Sequence, residues 1–204
     1  MKLVSVHINN FMAFSGEATI RLSELGLVHI AGLNHDDPGN NSNGSGKTTI
    51  LEALTWGLFG EGLPRPKGNA EQGVRADEVL NDFVKKQCRV VVELADDGGA
   101  VVVDRFRKYK VDGGKQRTGV VLITEDGEKG EALDEKETNR LICQRIGITR
   151  DIWCRGVVFG QESQFDFCEA TAKQRAEILT TVMGLEEIDV WLERCRDDKR
   201  ALTN

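Results

Sequence analysis

Three features of the chain, read in order, predict an α/β fold. The N-terminal third alternates like strands, runs into a polar glycine-rich loop and then takes a helical period. The middle third is a series of short β patterns joined by Gly-Gly turns, and the final third returns to helical spacing. With 204 residues, about 1.4 times a 150-residue domain, one domain or one domain with an appendage is expected.

The elements follow in chain order. Lys2 to Asn9 alternates, with Leu3 and Ser5 on one side and Val4, Val6 and Ile8 on the other, as a half-buried strand does. Glu17 to Leu22 reads as its hairpin partner and Leu27 to Ala31 as a short apolar strand. After the loop Gly32–Gly46, Ile50, Leu54 and Leu58 recur four apart with Leu51 beside them, which predicts a helix ending at Gly60. Arg89–Leu94 and Ala100–Phe106 flank the turn Asp96-Asp97-Gly98-Gly99, and Asp112-Gly113-Gly114 separates Arg105–Val111 from Gly119–Thr124. These make an antiparallel meander rather than βα units. Asp134–Ile146 is an amphipathic helix. Helical spacing resumes at Thr171, with Ile188, Leu192, Cys195 and Leu202 forming an apolar seam around Lys199. That seam is either a surface helix or the root of a coiled coil, which needs three or more heptads to declare itself. The expected division is residues 1–168 as a lobe and 169–204 as a helical segment leading outward.

Composition excludes several classes. Hydrophobic residues are 40% and charged residues 29% with only 3 Pro, so the chain as a whole is neither disordered nor fibrous. The net charge of −6 argues against coating nucleic acid or an anionic membrane wholesale, while leaving room for a local basic patch. Five scattered cysteines without a C-x-x-C pair, and three isolated histidines, write no zinc site. Neither a signal peptide nor an apolar run of ~18 residues is present, so a cytoplasmic protein in a reducing compartment with no membrane contact is expected.

The chemistry-bearing motif is Asn43-Gly44-Ser45-Gly46-Lys47-Thr48-Thr49, between a strand pattern and a helix pattern, the context a P-loop requires. Gly44 and Gly46 let the backbone turn its N–H groups inward around phosphate oxygens, and the helix start adds the positive end of its dipole. Lys47 is the residue to reach the β- and γ-phosphates, and the Thr48 hydroxyl the one to ligate Mg²⁺. The motif asks for a glycine at position 41, where this chain has Asn41. Asn41 can substitute, because Asn tolerates left-handed backbone angles. Alternatively, Gly32 opens the loop and His35 to Ser42 is an insertion. The insertion is preferred, since Ala31-Gly32-Leu33-Asn34 ends the strand as a phosphate loop starts, but both stay open.

The run SNGSGKTTILEALTWGLFGEG (Ser42 to Gly62), behind a strand ending Asn9-Asn10-Phe11, resembles the SbcC-type, SMC-related ATPases of DNA repair, most closely in their bacteriophage recombination-endonuclease form. Arg75–Asn81 resembles the segment after the P-loop helix, and Val157-Val-Phe-Gly-Gln161 resembles the Q-loop. The resemblance implies an α/β P-loop NTPase of the ABC-ATPase head type: an N-terminal lobe with an antiparallel β-meander and the start of a coiled-coil helix. It implies ATP and Mg²⁺, with Gln161 reaching the metal and the attacking water. The implied partners are a C-terminal ATPase lobe, a second head in a homodimer, an SbcD-type metallophosphoesterase nuclease and double-stranded DNA ends. The implied setting is nucleoid-associated in a bacterial or phage-infected cell. One departure stands out, because Met12 occupies the place of an Arg often found near the nucleotide.

Several expected parts are missing. The one loose match to a metal-linked carboxylate after an apolar strand is Asp104, but Arg105 follows it rather than an acid, and a hairpin strand suits it better. Val111–Gln116 imitates a signature loop yet opens no helix, and no zinc hook is present. The family places these parts beyond the first lobe, so this chain is expected to bind ATP with little turnover alone.

Arg105, Arg107, Lys108, Lys110, Lys115 and Arg117 oppose a single acid, Asp112, with Tyr109 among them. This hairpin is either a phosphate contact for DNA or a lysine-guarded sheet edge. Two other functions compete with repair: an SMC-like chromosome-organising ATPase without a nuclease, and a self-contained P-loop kinase or regulatory module. The meander argues against the kinase.

Overall fold

The computed structural model describes residues 1–33, 45–67, 70–72, 77–96, 98–110, 114–124, 129–130, 134–158, 171–183, 185, 188, 191–192, 194–196 and 199–200. Two compact units emerge, Met1–Arg150 and Asp151–Asn204. The expected boundary at 168/169 lies outside the described residues.

In the first unit, strands β1 (Lys2–Asn9), β2 (Glu17–Arg21), β5 (Cys88–Asp96), β6 (Gly99–Tyr109), β7 (Arg117–Thr124) and β8 (Lys129–Gly130) form one antiparallel sheet in the order β2-β1-β5-β6-β7-β8. The period-two pattern is visible in the burial. Val6 and Ile8 of β1, Val90, Val92 and Leu94 of β5, Val101 and Val103 of β6, and Val120 and Leu122 of β7 are all buried. The alternate positions carry polar cross-strand pairs instead: Ser5 Oγ donates to Glu93 at 2.7 Å, His7 Nδ1 meets Thr19 Oγ1 at 2.8 Å, and Arg89 chelates Asp104 at 2.8 and 2.9 Å. One face is packed and the other is wet, as an antiparallel sheet permits.

The β5–β6 hairpin closes where the sequence expects, at the pair Asp96↔Gly99, with Gly99 at φ 108°, which only glycine adopts at little cost. The β6–β7 ladder is interrupted between Phe106 and Tyr109, with Lys108 at φ 47° and its N–H on Thr118 Oγ1 at 3.2 Å. This irregularity re-aims the strand end, as a bulge does.

Helix α1 (Lys47–Phe59) packs on the apolar face. Its contact with the sheet centres on Gly57, where a Cβ would sit 2.8 Å from Val92 Cγ2 and 2.9 Å from Val90 Cγ1. Trp56 stacks at a tilt on Phe11, centroids 5.4 Å apart. Every residue from Thr49 to Phe59 except Leu51 is buried, so α1 is a core helix rather than the one-sided helix its fourfold spacing suggests. Gly60 in the left-handed region ends it, donating to the Trp56 carbonyl at 2.8 Å. A short hairpin follows, β3 (Arg65–Lys67) with β4 (Ala70–Gln72), which the sequence pattern did not suggest. Helix α2 (Glu135–Ile146) begins at the expected residue because the Asp134 side chain accepts the Glu137 N–H at 2.7 Å.

The expected strand Leu27–Ala31 is not formed. Residues 28–33 are irregular, and Leu27, Val28, Ile30 and Leu33 are exposed. A strand exists only as half of a ladder, and no described residue pairs with this run.

The single turn α3 (Arg150–Ile152), which starts at the last residue of the first unit, continues as a π turn, Trp153–Val157, closed by the Val158 N–H on the Trp153 carbonyl at 2.9 Å. Helix α4 (Ala172–Val182) follows, and Leu179, Met183, Ile188, Trp191 and Leu192 are exposed along this segment. Among the described residues no helix is long and apolar enough to cross a membrane.

Candidate nucleotide-binding site and basic surface

The site is built where the irregular run meets the start of α1. Gly46 precedes the helix at φ 81°, ψ 10°, a conformation that favours glycine. Among the described residues Gly46 offers no capping side chain, and no acid lies in the first turn. The Thr49 N–H bonds the Gly46 carbonyl at 3.1 Å, and a helix start of this kind turns its positive dipole end toward an anion. Lys47 Nζ lies 3.3 Å from Ser45 Oγ, which brings the ammonium over the same terminus. Thr48 is exposed whereas Thr49 is buried, so Thr48 carries the hydroxyl that can meet a cation.

Gly32 closes the other side. A Cβ there would stand 1.8 Å from Ser45 Oγ and 3.2 Å from Lys47 Nζ, so residue 32 lies against the Ser45 and Lys47 side chains and a larger residue would displace them. Of the two candidates for the opening glycine, Gly32 therefore has a steric reason to be one. Asn41, Asn43 and Gly44 lie outside the described residues, as does Gln161. A wall completes the site, since Ala13 Cβ and Phe14 Cε2 lie 3.5 and 4.0 Å from where a Gly46 Cβ would point. Residues 10–14 are themselves held down. Met12 N–H donates to the Val79 carbonyl at 2.9 Å, and its carbonyl accepts from Asn81 Nδ2 at 2.7 Å. A cradle too tight for a Cβ, a lysine over it and an exposed hydroxyl beside it fit a nucleotide's phosphates with a divalent cation. No group of three or more His, Cys, Asp or Glu able to hold a metal alone occurs among the described residues.

The far end of α1 is tied just as firmly. Glu52, buried on the helix, accepts the Leu63 N–H at 2.7 Å, and Arg150 holds the Gly62 carbonyl at 2.6 and 3.2 Å. These residues fold the chain back after Gly60, and nothing in their spacing announced it.

The basic hairpin divides. Arg105, expected at the DNA surface, is 1% exposed and points into the core. It donates to the Gly57 and Leu58 carbonyls at 3.1 and 3.4 Å, to Glu135 at 3.0 Å and to Asn139 at 2.6 Å, with its guanidinium 5.8 Å from the Trp56 ring centre. Burial pulls its pKa down to about 10, against the opposing pull of Glu135, so it remains a cation at neutral pH. Arg105 is an internal brace and cannot touch a ligand at the surface. Arg107 and Lys108 both bind Asp77, at 2.8 and 3.2 Å, and these contacts hold the Asp77 carboxyl below its usual range. Lys110, Lys115 and Arg117 are exposed. Asp104 is engaged by Arg89 on an antiparallel strand, which suits a meander carboxylate.

Sequence reading missed Lys85 and Lys86. The register that pairs Cys88 with Arg107, and the Gln87 N–H on the Lys108 carbonyl at 3.0 Å, bring both lysines beside the hairpin cations. The signal was present: once β5 and β6 are paired, residues just before 88 must lie next to 108–110.

The AAA domain family matches residues 5–197. The chain is 28% identical over 199 residues to the SbcC component of the nuclease SbcCD of Clostridium acetobutylicum, covering 92% of this chain and 15% of that protein. It is 30% identical over 153 residues to "DNA double-strand break repair Rad50 ATPase" of Methanopyrus kandleri, covering 71% of this chain and 15% of that protein. Against "Exonuclease subunit 2" of Escherichia phage RB69 it is 26% identical over 196 residues, covering 92% of this chain and 30% of that protein. It thus spans less than a third of the length of these relatives. The glycine-lined helix start and the match over nearly all of its residues place this chain in the AAA domain family, as a P-loop NTPase domain similar to SbcC-type repair ATPases.

Proposed function

We propose that this chain is the ATP-binding lobe of a DNA repair and recombination ATPase, whose head dimerisation on ATP controls a partner nuclease at DNA ends. The observation that carries the reading is the junction of Gly32, Ser45 and Lys47 at the start of α1. There the Lys47 ammonium and the first-turn N–H groups neutralise phosphate oxygens, and residues 13 and 14 wall the cradle. Thr48 and Gln161 are the residues that would hold Mg²⁺, which would supply positive charge to stabilise the phosphates.

The lobe is incomplete by this reading. The apolar run Leu27–Leu33 leads straight into the cradle with its side chains exposed and no described ladder partner, which is how a strand looks when its neighbours come from elsewhere. A C-terminal lobe would add strands beside it and supply the catalytic acid, and a second head would close over the γ-phosphate. The relatives' names, a nuclease subunit and a DNA double-strand break repair ATPase, support a nuclease partner and a role on DNA. The partners proposed here are an SbcD-type metallophosphoesterase and double-stranded DNA ends. Exposed Lys110, Lys115 and Arg117, with Arg107 and Lys108, are the cations assigned to DNA phosphates.

The test measures ATP binding and phosphate release on one sample. Binding with little turnover is expected, and turnover should rise when the C-terminal lobe is supplied. Strong turnover by this chain alone at low concentration refutes the incomplete-lobe reading.

A further inference from the structure

We propose that the turn at residues 81–86 presents Phe83 as a stacking platform for an unpaired base, with Lys85 and Lys86 on the flanking phosphates. The inference rests on the reading above that this lobe contacts DNA, and adds to it a preference for single-stranded or frayed ends.

Phe83 is 92% exposed, the exposed aromatic side chain of the first unit among the described residues. The turn that carries it is tied down by hydrogen bonds. Asn81, 2% exposed, accepts the Phe83 and Val84 N–H groups through Oδ1, both at 3.1 Å. Its Nδ2 donates to the Met12 carbonyl at 2.7 Å, its own N–H to the Asn10 carbonyl at 3.1 Å, and its carbonyl accepts the Lys85 N–H at 2.8 Å. Lys85 and Gln87 adopt left-handed angles, φ 53° and 59°, which cost energy for residues with a Cβ. Gln87 is pinned to the bulged end of β6. Its N–H donates to Lys108 O at 3.0 Å, its Oε1 accepts from Lys110 N at 2.5 Å, and its Nε2 donates to Lys110 O at 3.4 Å. A strained turn fixed by this many bonds, with a phenyl ring aimed at water, asks for a ligand that meets the ring.

The surroundings select the class of ligand. Lys85 and Lys86 are exposed on the same turn, and Lys108, Lys110, Lys115 and Arg117 lie beyond Gln87. The opposing acids nearby are Asp77, already bound by Arg107 and Lys108, together with exposed Glu78 and Asp82. This excess of cations stands on a chain of net charge −6. A protein partner would want further apolar surface around the ring, but the exposed residues beside it along the turn are Asp82, Lys85 and Lys86. An aromatic ring among cations is the arrangement that binds single strands. Bases inside a duplex are already stacked, so the ring gains only where a base is unpaired.

The experiment is fluorescence anisotropy at fixed salt with a blunt duplex, the same duplex carrying a single-stranded overhang, and the overhang strand alone. Phe83→Ala should weaken binding to the two substrates with unpaired bases by about 5- to 100-fold. The blunt duplex should change less than about two-fold. Phe83→Trp should restore the preference and Phe83→Leu should not. The double variant Lys85→Gln, Lys86→Gln should weaken all three and reduce the salt slope by up to about two. If wild-type protein binds DNA but Phe83→Ala weakens every substrate equally, or none, the stacking inference is overturned and the DNA reading survives. If wild-type protein binds none of the three at low salt, the DNA reading falls and the inference with it.

Discussion

Arg105→Met is the substitution with the largest consequence that the structure allows to be worked through. Methionine keeps the length and the apolar stem but removes the guanidinium from four hydrogen bonds and from the face of Trp56. Two of the acceptors, the Gly57 and Leu58 carbonyls, belong to the last turn of α1, where carbonyls have no intrahelical partner. Each buried carbonyl left unsatisfied costs about 1–3 kcal/mol. Glu135 and Asn139 lose their tie to α1, while the desolvation that drags the guanidinium to a lower pKa is relieved. Breaking a buried charged network typically costs about 3–5 kcal/mol net, a large share of the ~5–15 kcal/mol that holds a domain together. For a chain of this size that is a fall in Tm of roughly 6–20 °C. Urea unfolding followed by far-UV circular dichroism measures it. Arg105→Lys should fall between, since an ammonium cannot reach both carbonyls and both α2 side chains with one planar fork. A loss below about 1 kcal/mol for Arg105→Met would mean that α1 does not depend on this brace, and the account of the hairpin would be wrong. At a temperature where the variant is folded, the salt slope of DNA binding should not move, because residue 105 is inside.

Other outcomes follow from the same geometry. Gly32→Ala drives a methyl into Ser45 and toward Lys47, so it should weaken ATP binding at least about tenfold with little change in unfolding midpoint, read by calorimetric titration. Asp77→Asn frees Arg107 and Lys108 and should tighten DNA binding while steepening its salt slope by about one to two. The Asp77 carboxyl, lowered by those two hydrogen bonds, keeps both cations paired as pH falls through the unfolded value of 3.8 and releases them only below it; an NMR titration should therefore inflect below 3.8. Burial pushes the Cys88 thiol up to about 12, so iodoacetamide at pH 8 should label exposed Cys195 while sparing Cys88 until the chain unfolds.

What the sequence made legible was local. The alternation of Lys2–Asn9, the glycine turn at 96–99 and the Asp134 cap each depend on a few neighbouring residues, and each stands where it was expected. The helix start at Lys47 was legible for the same reason, since a glycine before a helical run needs no distant partner. What failed depends on pairing across the chain. Leu27–Ala31 has strand composition, but a strand needs a ladder, and none is supplied by the described residues. Arg105 was counted with its charged neighbours along the chain, although the period of two sets it on the face of Val101 and Val103. Arg107 shares that parity, but its side chain is partly exposed and bound to the exposed Asp77, at the start of the interrupted ladder. Lys85, Lys86 and Phe83 carry no motif at all. Only the β5–β6 register and the Asn81 clamp make a surface of them.

The central claim is that phosphates are bound at the start of α1 by Lys47 and its glycine cradle. Calorimetric titration of ATP with Mg²⁺ into wild-type protein and Lys47→Met tests it most directly. Saturable binding by wild type, weakened about 10- to 100-fold by the loss of one charge-assisted contact, is the result expected. Equal binding by both proteins, or no binding by a folded wild-type chain, would contradict it.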